Sequence, residues 1–247
     1  MKIIKVKNYE ELSLKASEIM VELLKAKPDA TLGLATGSSP IGLYKNLIKA
    51  YNNKEISFED VKTYNLDEYC ELPREHAESY YTFMHKNLFD HVNIKEENIH
   101  IPSSVGSDLQ KNCDDYNNLL NSATVDVQLL GIGGNGHIGF NEPGTSFESE
   151  TQIIKLADKT REDNKRFFNS IDEVPTHAIT MGIKNILNAK SILLVASGKN
   201  KAEAIYKLVN EGVTEDFPAS ALKNHKNVTV IVDSDAASLL WLLIETL

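Results

Sequence analysis

The sequence predicts an α/β protein in which a mainly parallel sheet carries helices on both faces. Short runs of β-branched residues and leucine, such as residues 192–196, alternate along the chain with longer amphipathic segments, such as residues 9–27. The 247-residue chain is 42% hydrophobic and 25% charged, which is typical of a globular protein with a substantial core. Internal repeats and Pro- or Ser-rich linkers are absent from the sequence, so we expect a single domain over residues 1–247.

Predicted strands and helices alternate from the amino terminus onward. Apolar runs predict strands over residues 2–6, 31–35, 61–66, 125–130, 177–181, 192–196 and 228–232. Helical periodicity predicts helices over residues 9–27, 41–52, 79–91, 108–120, a short one ending at 188, 201–209 and a last one from Ala236. Asn8 and Ser39 are suitable N-caps, and Pro40 suits a first helical position. The aromatic stripe of residues 79–91 is more typical of a core face than of a cofactor site.

Two segments have weaker patterns. Residues 146–169 are mostly polar, and we expect a mobile lid within residues 146–175. The apolar run 239–243 is either a buried helix or a subunit contact, and its all-round apolarity favours burial.

Charge and cysteine content exclude several classes of partner. The net charge of -9 argues against a nucleic-acid surface or an anionic membrane. The amino terminus alternates charged and apolar residues, and no apolar run approaches the ~20 residues of a membrane-spanning helix, so we expect neither a secretory signal nor a membrane anchor. Cys70 and Cys113 lack the spacing of a zinc site or a disulfide framework. We therefore expect a cytoplasmic protein that binds no metal.

A glycine-rich loop after the predicted strand 125–130 is the strongest candidate for a catalytic centre. Six glycines lie within residues 131–144, together with Asn135, His137 and Glu142. His137 can exchange protons near neutral pH, and Glu142 can orient it. Residues 131–136 also fit G-x-G-x-x-G, but Pro143 interrupts the helix that a dinucleotide site requires. The remaining alternative is a glycine-rich connection without chemistry.

Two strand-to-helix turns carry groups suited to an anion. Residues 36–40, TGSSP, place three hydroxyl groups at a predicted helix start, although an ordinary Ser-Pro cap has the same sequence. This turn lacks the lysine of a nucleotide P-loop. Residues 197–201, SGKNK, add two lysines after another strand, and Lys165 and Arg166 add further cations.

Asp67 and Glu68 follow the predicted strand 61–66. Because successive side chains of a strand point to opposite faces, we expect only one of the two carboxylates to face a shared pocket. Such a carboxylate can take a proton from carbon next to a carbonyl or imine. The alternative is a solvated acidic pair.

Four motifs together resemble the glucosamine-6-phosphate deaminases, in the same order and over nearly the whole chain. They are TGSSP (36–40), NLDEY (65–69), GGNGHIGFNEP (133–143) and SGKNK (197–201). The resemblance implies a Rossmann-like, doubly wound α/β fold. It also implies conversion of glucosamine 6-phosphate to fructose 6-phosphate and ammonia, hydrolysis of a C–N bond without a metal or organic cofactor.

The resemblance further implies a role for individual residues. Asp67 would move the C2 proton to C1, and His137, supported by Asn135 and Glu142, would open the pyranose ring. The residues expected at the phosphate are Thr36, Gly37, Ser38, Ser39, Arg166 and Lys201. The expected partner is a small amino sugar phosphate, and the chain is either a monomer or a homo-oligomer.

Two positions depart from the family pattern. Asn135 stands where many relatives have aspartate, so any carboxylate partner of His137 must be Glu142. Gln152 and Ile154 stand where allosteric relatives have basic residues, and we expect no activation by N-acetylglucosamine 6-phosphate. The alternatives to the deaminase are a 6-phosphogluconolactonase and a non-catalytic sugar-phosphate sensor.

Overall fold

A computed structural model describes residues 1–156, 158, 161, 162, 165 and 168–240. Within this part of the chain, a parallel seven-stranded sheet forms the centre of the molecule. In spatial order its strands are β1 (Lys2–Lys5), β10 (Val228–Val232), β9 (Ile192–Ala196), β6 (Val127–Leu130), β2 (Thr31–Leu34), β3 (Lys62–Asn65) and β5 (Ile99–His100). The predicted α/β fold with a mainly parallel sheet is confirmed.

Helices connect most of these strands. Those in the described residues are α1 (Tyr9–Ala26), α2 (Ile41–Asn52), α3 (Tyr80–Asn87), α4 (Leu109–Ser122), α5 (Ile183–Leu187) and α6 (Ala202–Asn210). The predicted N-cap of α1 is confirmed, since the side chain of Asn8 accepts a hydrogen bond of 2.9 Å from the N–H of Glu11. The buried side of α1, which includes Leu12, Ala16 and Leu24, belongs to the main hydrophobic core.

A second sheet was not predicted. Its three antiparallel strands are β4 (Asp67–Tyr69), β8 (His177–Thr180) and β7 (Gln152–Lys155). The prediction that residues 177–181 continue the main βα succession is therefore wrong. At Leu66 the chain crosses between the sheets, because its N–H donates to Leu34 of β2 over 3.1 Å and its carbonyl accepts from Met181 over 2.7 Å. Hydrophobic periodicity identifies a strand but not its partner.

Two weakly patterned segments differ from their predictions or lie partly outside the structure. The predicted helix from Ala236 is wrong over residues 236–239, which form turns, and residues 241–247 lie outside the described part of the chain. Leu239, at the start of the apolar run 239–243, is 43% exposed. Strand β7 and the short 3₁₀ helix Ile171–Glu173 lie within the interval predicted to contain a lid, and the lid itself stays a prediction.

Candidate active site

A cleft of about 540 Å³ opens at the carboxyl ends of four adjacent strands, β9, β6, β2 and β3. The chain runs from β2 outward through β3 to β5, and later from β6 outward through β9 to β10, so its direction across the sheet reverses between β2 and β6. Open α/β sheets bind ligands at such a reversal. The described residues that line the cleft are Ala35, Thr36, Gly37, Ser38, Ser39, Leu66, Asp67, Tyr80, Gly131, Ile132, Gly133, Gly134, His137, Gly139, Phe140, Ser197, Asn200 and Lys201.

Asp67, the first residue of β4, brings a buried carboxyl group to this cleft. Its relative exposure is 6%. Burial, with a smaller contribution from the neighbouring Glu68 carboxylate, raises the pKa of Asp67 to about 8. Both effects disfavour the ionised form. At neutral pH, Asp67 therefore stays largely protonated in this environment.

Glu68 turns away from the cleft and holds the start of α3. One of its carboxylate oxygens accepts from the N–H groups of Tyr69 and Tyr80 at 2.9 and 2.8 Å, and the other accepts from Tyr81 at 2.8 Å. Carboxylates are favourable at the positive end of a helix, where backbone N–H groups lack intrahelical partners. The prediction that only one member of the acidic pair faces the pocket is confirmed.

His137 is connected to Glu142 through Asn135. The side-chain oxygen of Asn135 lies 2.7 Å from His137 Nδ1, while the Asn135 amide donates to Glu142 Oε2 over 2.6 Å. Glu142 Oε2 itself lies 3.8 Å from His137 Nδ1, beyond direct hydrogen-bonding distance. Because an amide oxygen only accepts, this geometry assigns the proton to Nδ1 and leaves Nε2 as the acceptor.

Glycines make room for this arrangement. A methyl group at Gly133 would lie 2.2 Å from the His137 ring, so the imidazole packs directly on the backbone of that residue. Gly136 has a positive φ of 87°, and a methyl group there would meet the Phe217 ring at 2.2 Å. The carbonyl of Gly136 accepts from the N–H of Ala219 over 2.8 Å. The loop after β6 is thus fixed by steric fit as well as by hydrogen bonds.

The turn 36–39 forms a second side of the cleft. Gly37 has a positive φ of 90°, and Thr36, Ser38 and Ser39 line the cleft beside it, as expected for an anion site at the start of α2. The predicted capping role of Ser39 is wrong. Helix α2 begins at Ile41, its cap position is Pro40, and no side-chain cap bond forms there.

Tyr9 of α1 replaces the missing cap. Its hydroxyl accepts from the N–H of Gly42 at 2.9 Å and lies 3.0 Å from the carbonyl of Ser38, to which it donates. A side chain distant in sequence therefore accepts from a backbone N–H in the first turn of α2. Ser39 stays available to line the cleft. Sequence-local capping rules cannot find such a partner.

The turn 197–201 supplies a cation. Lys201 lines the cleft together with Ser197 and Asn200, two residues of the same motif that were not singled out as site residues. Asp233, at the end of β10, anchors this turn: it accepts from the Ser197 hydroxyl at 2.5 Å and from the Gly198 N–H at 3.1 Å. Asp233 is 6% exposed. Asp233 could have been found from the sequence by the same signal as Asp67, since each is an acidic residue directly after a predicted strand.

Other predicted cations are not brought to the described lining. Lys199 is exposed and is absent from the described cleft residues. Lys165 is paired with Glu162 at 3.6 Å. Arg166, an expected phosphate ligand, lies outside the described residues.

Tyr80 is a cleft residue that the sequence analysis treated as part of a core stripe. Its ring stacks on Phe140 with an interplanar angle of 5° and a centroid separation of 6.1 Å. Burial, followed by the neighbouring Tyr69 and Asp67, holds the pKa of Tyr80 well above its usual value, and a hydrogen bond to Thr36 acts in the opposite direction. The neutral phenol is thus close to both Thr36 of the hydroxyl turn and the carboxyl group of Asp67.

The sequence profile of the glucosamine-6-phosphate isomerase/6-phosphogluconolactonase family matches residues 7–231, which is most of the chain. The chain belongs to this family. Two curated family relatives have similar length: the glucosamine-6-phosphate deaminase of Clostridium novyi (strain NT) is 54% identical and covers 96% of this chain and 99% of its own, and that of Halalkalibacterium halodurans is 52% identical and covers 96% of both chains.

Two solved structures show different degrees of similarity to this chain. A monomeric glucosamine-6-phosphate deaminase superposes with a TM-score of 0.95 at 49% identity, covering 97% of this chain and all of its own. The 6-phosphogluconolactonase of Trypanosoma brucei superposes with a TM-score of 0.80 at 17% identity over 97% of this chain and 98% of its own, which shows the shared fold.

Because the family includes both deaminases and lactonases, the groups in the cleft decide which chemistry it can perform. Among the described residues, no three His, Cys, Asp or Glu side chains are placed to hold a metal ion. The helices of the described chain include none with the length and apolarity to cross a membrane. What the described cleft does contain is a buried acid, an oriented imidazole, a hydroxyl turn and a lysine.

Proposed function

We propose that this chain converts glucosamine 6-phosphate and water to fructose 6-phosphate and ammonia. The observation that carries the proposal is the convergence of Asp67 and His137 on one cleft that the hydroxyl turn 36–39 and Lys201 also line. Relatives named for this activity are 54% and 52% identical over nearly the whole chain. Classified by its overall reaction, the enzyme is a hydrolase of a C–N bond.

The phosphate group is the anchor of the bound sugar. We assign it to Thr36, Gly37, Ser38, Ser39 and Lys201, with Arg166 as a further ligand. Free N–H groups at the start of α2 and the charge of Lys201 offset the repulsion from a protein of net charge -9.

Ring opening is the task of His137. It moves the proton of the anomeric hydroxyl to the ring oxygen, which breaks the ring C1–O bond and exposes the C1 carbonyl. The Asn135 oxygen at Nδ1 keeps Nε2 as the proton acceptor, and the Glu142 carboxylate polarises the Asn135 amide from the other side. A neutral amide thus transmits the effect of a carboxylate that does not touch the ring.

Asp67 then acts on the open chain. The C1 carbonyl acidifies the C2 proton, the carboxylate removes it, and the resulting enolamine is reprotonated at C1. The product is a 2-imine, to which water adds with loss of ammonia. Every step is a proton transfer or the addition of water, so positioned acid-base groups suffice.

The raised pKa of Asp67 favours an amino sugar over a lactone as substrate. Burial and Glu68 set this pKa, and no cation of the described chain is among its causes. A C2 ammonium group bound beside Asp67 lowers the pKa of the carboxyl group, which then releases its proton to solvent and becomes the carboxylate that catalysis needs. A lactone brings no cation, and its hydrolysis requires no base at C2.

One assay with two substrates tests the proposed function. Wild-type chain should release ammonia and fructose 6-phosphate in equal amounts from glucosamine 6-phosphate and leave 6-phosphogluconolactone unhydrolysed beyond its spontaneous rate. Asp67→Asn should still bind the sugar but lose exchange of the C2 proton with solvent, with a fall in turnover of ~10²-fold or more. Lactone hydrolysis without ammonia release would identify a lactonase, and binding without either reaction a sensor.

The proposals for oligomeric state and cellular location do not rest on the geometry of the cleft. We propose a monomer, since the solved deaminase at 49% identity is described as monomeric. Gel filtration with light scattering tests this directly. The cytoplasmic location stays a prediction from composition.

A further inference from the structure

A row of three polar side chains crosses the small antiparallel sheet. In the ladders of that sheet, Thr180 of β8 lies opposite Asp67 of β4 on one side and opposite Gln152 of β7 on the other. Directly opposed residues of antiparallel strands place their side chains on the same face. Asp67, Thr180 and Gln152, here called the polar row, therefore share one face of the sheet.

The polar row faces residues 139–141 of the loop that follows His137. A methyl group at Gly139 would lie 3.5 Å from Asp67 Oδ2 and 3.0 Å from Thr180 Oγ1. The next residue, Phe140, donates its N–H to Thr180 Oγ1 over 3.1 Å.

The third contact completes the match between sheet and loop. Gln152 Nε2 donates to Asn141 Oδ1 over 3.4 Å. The Asn141 amide in turn donates to the carbonyls of Ile138 at 2.9 Å and Met181 at 2.8 Å. Loop residues 138–141 are thus held to the small sheet by side chains rather than by a β ladder.

This contact joins two parts of the site that come from different sheets. Asp67 belongs to the small sheet, whereas His137 lies on the loop that leaves β6 of the main sheet. Both groups must act on neighbouring atoms of one bound sugar, and a displacement near 1 Å costs up to ~10²-fold in rate. Thr180 is fully buried and Phe140 is 7% exposed, so their hydrogen bond is made away from water.

We propose that Thr180, assisted by Gln152, is a positioning residue that sets the Asp67 carboxyl group against the His137 loop. Neither Thr180 nor Gln152 is among the described residues that line the cleft, so neither touches the substrate. The inference rests on the proposed function for its kinetic test. Its structural content, the restraint of loop residues 138–141, can be measured without any substrate.

The test compares Thr180→Val with Thr180→Ser. Valine keeps the shape but leaves the Phe140 N–H without its acceptor, whereas serine keeps the hydroxyl. We expect kcat to fall about tenfold or more in Thr180→Val and to recover most of its value in Thr180→Ser. The inhibition constant of inorganic phosphate should stay unchanged in both, because the hydroxyl turn 36–39 and Lys201 follow β2 and β9 of the main sheet, not strands of the small sheet.

Thr63→Val is the matched control. Thr63 is a fully buried threonine of β3 whose hydroxyl has no hydrogen-bond partner in the described part of the chain. It should keep the wild-type kcat. A smaller fall in kcat, again with unchanged phosphate inhibition, is expected for Gln152→Met, which removes the amide that donates to Asn141. Because Gln152 is only half-buried, this variant keeps the inference testable if Thr180→Val does not fold.

Any of three kinetic results would overturn the inference: wild-type kcat in both Thr180→Val and Gln152→Met, a weakening of phosphate inhibition that matches the fall in kcat, or failure of Thr180→Ser to restore kcat. Amide hydrogen exchange at Phe140 should accelerate in Thr180→Val relative to wild type and Thr180→Ser, and unchanged exchange also overturns it. A wild-type chain that releases no ammonia refutes the proposed function instead, and the exchange measurement still decides the positioning role.

Discussion

Replacing Asp67 with Asn should make the protein more stable, increasingly so as the pH rises from 4 to 8. The folded carboxyl group has a pKa of about 8 against an ordinary value of 3.8. A group whose pKa is raised on folding contributes stability below the unfolded pKa, and this contribution is lost as the pH rises through the folded pKa. Each pH unit over which only the unfolded group ionises costs about 1.4 kcal/mol. Between pH 3.8 and 7 the wild-type protein therefore gives up as much as ~4 kcal/mol that Asp67→Asn retains.

Urea unfolding of both proteins at pH 4.5, 5.5, 7 and 8 measures the effect. The free energy of unfolding of Asp67→Asn minus that of the wild type should grow steadily with pH and level off near pH 8. Asp235→Asn, which makes the same substitution at an exposed position, is the control. A difference that stays constant over the whole range would falsify the argument that burial suppresses the ionisation of Asp67.

Four further predictions concern phosphate binding, the His137 ring, the stability contributed by Asp126 and the shape of the saturation curve. Lys201→Ala should weaken inhibition by inorganic phosphate about tenfold or more, because charge-assisted contacts contribute roughly 1.5 to 3 kcal/mol. Lys199→Ala is the control, and equal inhibition of the two variants would place the phosphate elsewhere. Gly133→Ala should displace the His137 ring and abolish turnover while phosphate still binds, so normal kcat in this variant contradicts the packing described. Asp126 is buried and accepts hydrogen bonds from Lys27 and Lys190, so Asp126→Asn should cost about 1 to 3 kcal/mol of unfolding free energy at pH 7. The pKa of Asp126 is raised by burial but lowered more by hydrogen bonds from lysines, so the wild type should lose this advantage in urea titrations only as the pH falls through that depressed pKa. Substrate saturation should be hyperbolic with or without millimolar N-acetylglucosamine 6-phosphate. Sigmoidal curves that become hyperbolic when the effector is added would refute this expectation.

Local sequence determined the parts of this protein whose partners are near in the chain. Alternation of apolar runs with amphipathic segments predicted the parallel sheet and most helix bounds, because these patterns follow from the periods of strand and helix. His137, Asn135 and Glu142 lie within eight residues, so their nearness in sequence already places them on one glycine-rich loop. The hydroxyl turn at the start of α2 was visible for the same reason.

Tertiary structure decided what depends on distant segments. The second sheet, which sets Asp67 against Thr180, required knowledge of which strands pair, and periodicity is the same for either partner. Tyr9 as the cap of α2 and Asp233 as the anchor of the Ser197 turn come from elements far apart in sequence. The pKa of Asp67 follows from desolvation by the surrounding fold, an effect of many non-local neighbours that an acidic residue at a strand end does not reveal by itself.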